Sequence, residues 1–214
     1  AKFIVTTYEG HAWERLVFCH AREFNSNIKC LSYQHAAVFK HQHAIKRPLN
    51  KKYNPDVILT SGLIGKDILK QGQLQGSEVS CIGSPKHSES SLVKGKNQCC
   101  LVIPEVFERE CLSLFYLSID YAKKNPNQKF IWRLHPGISF DKLKSQSPIL
   151  KNFPNNIHLS VGSLDDDIQR CDSVLYRGST AVVNAINAGL KPIYYRQSSD
   201  ELSIDPIYTH KEGK

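Results

Sequence analysis

Two short segments carry the residue types that hold phosphate. One is Arg133-Leu134-His135-Pro136-Gly137, the other Tyr176-Arg177-Gly178-Ser179-Thr180. A loop histidine can donate to a phosphate oxygen or, when protonated, stabilise a departing phosphate. Pro136 fixes the course of that loop. Gly178 followed by two hydroxyl residues at a helix start would offer free backbone N–H groups, hydroxyl donors and a favourable dipole. Arg177 adds a cation beside them. Ser179 and Thr180 also fit a plain N-cap, a common use of both residue types.

A third segment, Tyr8-Glu9-Gly10-His11, with Tyr33-Gln34-His35 further on, carries groups able to take a proton. Glu9 is the leading candidate for a general base, with His11 and His35 as rivals. A carboxylate at a helix start is equally favoured by the helix dipole. Glu14 and Arg15 fall inside the following helix and read as an exposed ion pair or a loop brace. Asp165-Asp166-Asp167 resembles a metal-binding run, but it follows Ser163 in a first helical turn, where negative charge suits the dipole. The histidines at 35, 41 and 43 have no Cys or carboxylate at ligand spacing, so the expectation is no metal.

The elements that must position these groups alternate regularly. Cys99 to Ile103 is a continuous apolar run, read as a buried parallel strand. A helix follows over Phe107 to Lys124, with Cys111, Leu114, Phe115, Ile119 and Ala122 at helical spacing, and Asn125-Pro126 stops it. Strands are expected over 129–134, 156–161, 173–176 and 192–195, with helices near 140–144, after Ser163, and over 181–188, the last closed by Gly189. The first part repeats the rhythm: strands at 3–7, 28–32, 57–60 and 79–82, helices over 12–24 and from Ser61-Gly62 to Lys70. This order predicts an α/β fold of two Rossmann-like parallel-sheet domains. The expected division is 1–85, a linker over 86–97, and 98–214. Ligands then bind beyond the carboxyl ends of the strands.

Composition removes several classes. No run of about 18 apolar residues predicts a membrane-spanning helix, and no signal peptide is evident. The seven cysteines are odd in number and irregular in spacing, which favours buried reduced thiols and a cytoplasmic setting. The formal charge of +8 would suit nucleic acid, anionic lipid or phosphate-bearing substrates. Without an arginine-rich arm, zinc-finger spacing or RNP-like strand, nucleic acid is not expected as a partner. No GxGxxG stands between an early strand and helix, which argues against a dinucleotide-dependent oxidoreductase. The chain lacks methionine and begins inside a strand-like run, and a complete two-domain enzyme of this kind needs roughly 350 residues. The first domain is therefore expected to be incomplete.

The stretch from Leu164 through Cys171-Asp172-Ser173-Val174-Leu175-Tyr176-Arg177-Gly178-Ser179-Thr180 to Gly189-Leu190-Lys191-Pro192-Ile193 resembles the carboxyl-terminal domain of GT-B glycosyltransferases. The pairing of His135-Pro136 with Ser179-Thr180 is similar to that of CMP-sugar-using bacterial sialyltransferases and Kdo transferases of capsule and lipopolysaccharide synthesis. Tyr8-Glu9-Gly10-His11-Ala12-Trp13-Glu14-Arg15 and Tyr33-Gln34-His35 resemble related surface-carbohydrate biosynthesis proteins. The resemblance covers most of the chain through short motifs. It implies a metal-independent transferase that needs no cofactor beyond its nucleotide-sugar donor, with a CMP-sugar favoured. It places Arg133, His135, Pro136, Arg177, Gly178, Ser179 and Thr180 at the donor, and Glu105 at its cytidine or ribose. Glu9, His11 or His35 would act on the acceptor side. The acceptor would be a surface polysaccharide or lipid-linked glycan, with peripheral contact to an anionic inner membrane. Alternatives are a sugar-nucleotide epimerase, a polyol-phosphate transferase, or a noncatalytic nucleotide- or carbohydrate-binding module.

Overall fold

The computed structural model describes residues 1–72, 76–84, 92 and 98–208. Contacts divide the chain into two units, Ala1–Ser88 with Pro206–Lys214 and Glu89–Asp205. Apart from Leu92, the segment expected as a linker lies outside the described residues.

The first unit holds β1 (Phe3–Thr7), α1 (Ala12–Phe24), β2 (Lys29–Gln34), β3 (Val57–Thr60), α2 (Leu63–Gln71) and β4 (Glu78–Cys81). Its strands are all parallel and run in the simple order β1-β2-β3-β4. Because side chains alternate across a strand, register sets which residues share a face. Thr6, Ser32, Ile58 and Val79 stand side by side, and Ile4 pairs with Cys30. Those positions lie on the face where Tyr8, Phe18, Ile45 and Leu69 complete the core, with Tyr208 packed against it. On the other face Phe3 and Val5 remain largely exposed.

The second unit contains β5 (Cys99–Ile103), α3 (Glu108–Lys124), β6 (Lys129–Trp132), α4 (Phe140–Gln146), β7 (Ile157–Leu159), α5 (Leu164–Gln169), β8 (Ser173–Tyr176), α6 (Val182–Asn187) and β9 (Lys191–Tyr194). Its strands are again all parallel, in the order β7-β6-β5-β8-β9. Every residue of β5 is buried, as the central strand of a two-sided sheet requires. Beside it Trp132 stacks on Phe115, ring centroids 4.1 Å apart, and its indole N–H donates to Ser118 Oγ at 2.8 Å. α3 begins with Glu108 and Glu110 and ends with Lys123 and Lys124, the polarity its dipole favours.

The strands are shorter than their apolar runs predict. β6 stops at Trp132 and β7 at Leu159, because the following residues leave the ladder to form the carboxyl-end loops. α6 is short, and Gly189, at φ +95°, ends it with the Leu190 N–H bonded back to Ala185 O. All seven cysteines are free thiols, six of them buried.

Candidate functional site

The β7-β6-β5-β8-β9 order reverses direction between β5 and β8. From β5 the chain moves out through β6 to β7, then crosses back to β8 and β9. Such a reversal opens a crevice at the strands' carboxyl ends, where ligands of open α/β sheets bind. Glu105 follows β5, His135 follows β6, and Arg177-Gly178 follows β8. Register brings the three exits together: Ile103 pairs with Tyr176, and Val102 with Trp132.

The side chains meet there. Glu105 packs so closely on Gly178 that a methyl group at Gly178 would collide with its carboxylate. A larger residue there would push the Glu105 side chain aside. Burial raises the Glu105 pKa above the ordinary glutamate value, while Arg177 and His135 pull it down less strongly. His135 Nδ1 accepts the Gly137 backbone N–H at 3.1 Å. In the neutral ring the proton therefore sits on Nε2, which is left as a donor. Neither the Ser179 nor the Thr180 hydroxyl caps α6: its N-cap is Ala181, without a side-chain cap. Their carbonyls accept the N–H groups of Val182 and Val183, and among the described residues their hydroxyls have no partner. The plain-cap reading of these two hydroxyls does not hold.

Arg177 is nearly buried and makes ion pairs with Glu110 at the start of α3 and with Glu201. Together with Arg109 and Tyr195 these groups line a cavity of about 150 Å³. Neither glutamate stood out in the sequence. Arg133 is directed elsewhere: its Nη1 donates to Asp167 at 2.8 Å, to Ser160 Oγ and to the Gly162 carbonyl. That arrangement braces α5 on β6. Pro136 stands exposed in the loop after His135.

The first unit gathers the three proposed proton acceptors. Glu9 lies between two imidazoles, with His11 Nε2 3.3 Å from one carboxylate oxygen and His35 Nε2 3.3 Å from the other. His11 comes from the loop after β1 and His35 from the end of β2, which pairs directly with β1. The loop is fixed by Glu14, which is fully buried and accepts the backbone N–H groups of Glu9, Gly10 and His11 and the Thr7 hydroxyl. Arg15 is also buried and donates to Asn54 Oδ1 at 2.6 Å and to the Ala44 carbonyl. These two residues are therefore braces, and the exposed ion pair is ruled out. Gly10, at φ +85°, lies against the backbone at Ala44–Ile45, with no room for a β-carbon. Gln42 Nε2 donates to the Glu9 carbonyl at 3.1 Å, and it too was not singled out by the sequence.

Of the three aspartates, Asp166 forms a capping box with Ser163 and Asp167 holds Arg133, so both have structural duties. Among the described residues no group of three or more His, Cys, Asp or Glu is placed to hold a metal. Likewise, no described helix is long and apolar enough to cross a membrane.

No protein-family model matches the chain, and no curated protein matches it by sequence. Solved structures do match it in fold. The pneumococcal O-GlcNAc transferase GtfA, solved with UDP and GlcNAc, is 15% identical with a TM-score of 0.54, over 84% of this chain and 39% of that one. TarM is 12% identical with a TM-score of 0.56, over 98% and 46%. A Streptococcus pneumoniae complex of accessory secretory proteins 1, 2 and 3 is 12% identical with a TM-score of 0.50, over 92% and 41%. The chain thus spans less than half the length of these proteins. It is an α/β protein with two Rossmann-like parallel sheets, the architecture of GT-B glycosyltransferases over part of their length.

Proposed function

We propose that the chain is part of a glycosyltransferase that moves a sugar from a nucleotide donor to a glycan acceptor. The observation that carries this is the approach of Glu105 to Gly178, Arg177 and His135 at the reversal point of the second sheet, with Ser179 and Thr180, whose hydroxyls have no partner among the described residues, next in the chain. Cations and hydroxyl donors at such a crevice suit a diphosphate or a phosphodiester. As the sugar leaves, negative charge grows on the phosphate and positive charge on the anomeric carbon. His135 Nε2, Arg177 and the two hydroxyls would stabilise the phosphate. Glu105 would contact the ribose or base.

In the first unit Glu9 is the group that takes the acceptor hydroxyl's proton, with His11 and His35 fixing its two oxygens and sharing the charge. Transfer is proposed to be independent of metal and of any cofactor apart from the donor. A CMP-sugar is the favoured donor, on the strength of the His135-Pro136 and Ser179-Thr180 pairing. The proposed acceptor is a surface polysaccharide or lipid-linked glycan. Work in the cytoplasm is part of the proposal, and the +8 charge supports contact there with an anionic membrane.

The test is a transfer assay on the full-length protein with CMP-, UDP- and GDP-sugars and extracted glycan acceptors. The expected result is nucleotide release coupled to acceptor elongation, lost in Glu9→Gln. A nucleotide-sugar epimer formed without acceptor would replace transfer by epimerisation. A noncatalytic module is the second reading, favoured by the two carboxylates already on Arg177. Nucleotide binding with no turnover of any donor would establish it.

A further inference from the structure

Arg177 is the cation best placed to meet a donor phosphate, yet both ends of its guanidinium are taken. Nη1 pairs with Glu110 and Nη2 with Glu201. In the cavity they line, Arg109 and Arg177 are balanced by Glu110 and Glu201. A phosphate entering this cavity meets no net attraction and two carboxylates that repel it. Binding therefore requires one carboxylate to leave.

The two carboxylates differ in how they are held. Glu110 stands in the first turn of the 17-residue helix α3, next to buried Cys111. Glu201 belongs to a strap, residues 196–204, that has no helix or strand. Among the described residues the strap bonds largely to itself, and near its far end the Ser203 hydroxyl and the Ile204 N–H donate to the Tyr194 hydroxyl. The Gln197 N–H donates to Glu201 Oε2 at 2.9 Å, and the Arg196 guanidinium donates to the carbonyls of Ser199 and Glu201. Both ends return to one residue: the Tyr195 N–H donates to the Tyr176 carbonyl at 2.8 Å, and the Tyr176 hydroxyl donates to Asp205 Oδ1 at 2.9 Å. The strap is thus a loop closed on Tyr176, immediately before Arg177, and Glu201 is its contact with the guanidinium. Near its far end, Ile204 lies close to Gly178.

We propose that Glu201 occupies on Arg177 the place that the donor phosphate takes, so that donor binding and release of the 196–204 strap are one exchange. This rests on the donor site proposed above. The carboxylate keeps Arg177 extended and neutralised while the site is empty. A phosphate, with more charge and more acceptor oxygens, displaces it, and the freed strap carries Glu201 outward. Glu110 stays and continues to orient the guanidinium.

The experiment is calorimetric titration of the full chain and its Glu201→Gln variant with CMP, UDP, GDP and ADP. It is paired with amide hydrogen exchange over 197–203 in the wild type. Glu201→Gln removes the competing charge and should bind the preferred nucleotide about tenfold more tightly, the scale of one charged hydrogen bond. Nucleotide should speed exchange across the strap. Binding by the variant alone would also support the exchange. Equal or weaker binding by Glu201→Gln overturns it and leaves the donor site standing. If the variant does not fold, the wild-type exchange decides, and a strap equally or better protected by nucleotide overturns the proposal. Binding by neither protein removes the donor site and the exchange together.

Discussion

The two units carry their reactive groups at the same place, beyond the carboxyl ends of a parallel sheet, but they invert the charge arrangement. In the first unit a single carboxylate, Glu9, is flanked by two imidazoles. In the second a single guanidinium, Arg177, is flanked by two carboxylates. The proposed function assigns proton transfer to the first arrangement and phosphate recognition to the second, because an imidazole can donate or accept while a guanidinium only donates.

The largest effect should fall on the first cluster. Glu9→Gln is expected to lower turnover about a thousandfold, within the range of a positioned base, while nucleotide binding stays unchanged. A variant that loses nucleotide binding as well would erase the division between the units. Glu14→Ala comes next. It leaves the N–H groups of Glu9, Gly10 and His11 without their acceptor, and should cost about 3 kcal/mol in urea unfolding. A loss below about 1 kcal/mol would mean that water replaces the brace. Replacing Ser179 by Ala and Thr180 by Val should weaken nucleotide binding about tenfold. Stability should move by no more than about 0.5 kcal/mol, because these hydroxyls bond to nothing else among the described residues.

Glu105→Gln gives the smallest effect and the clearest sign. Burial holds the Glu105 pKa above its unfolded value. The stability this group contributes is therefore fully present below the unfolded value and is lost as pH rises through the raised one. The glutamine variant should escape that loss. It should melt with the wild type well below pH about 4.3 and on the order of 2 °C above it near neutrality. A lower melting temperature at neutral pH would show that Arg177 and His135 outweigh burial.

Much of this was readable in the chain. Alternation of apolar runs with helical spacing located β5, α1 and α3, and Ser163 as a cap followed from the aspartates behind it. The carboxyl-end loops stood out because His135-Pro136 and Gly178-Ser179-Thr180 interrupt apolar strands. Partnership between distant residues was harder to read. Glu14 read as either an exposed ion pair or a loop brace, since nothing local marks a carboxylate that will accept three backbone N–H groups. Arg133 and Arg177 looked equivalent, each near a strand end, yet one braces α5 through Asp167 and the other pairs with Glu110 and Glu201. Glu201 comes to Arg177 only because the strap closes on Tyr176, a tertiary fact with no short-range signal. His35 reached Glu9 through the β1–β2 register, which the pattern allowed but did not name.

The most direct measurement of the central claim is nucleotide titration of the folded wild type and His135→Ala. The account predicts selective binding of one nucleotide, CMP first among them, weakened at least tenfold by the substitution. Binding of no nucleotide, or binding indifferent to His135→Ala, would contradict a donor site at the reversal point of the second sheet.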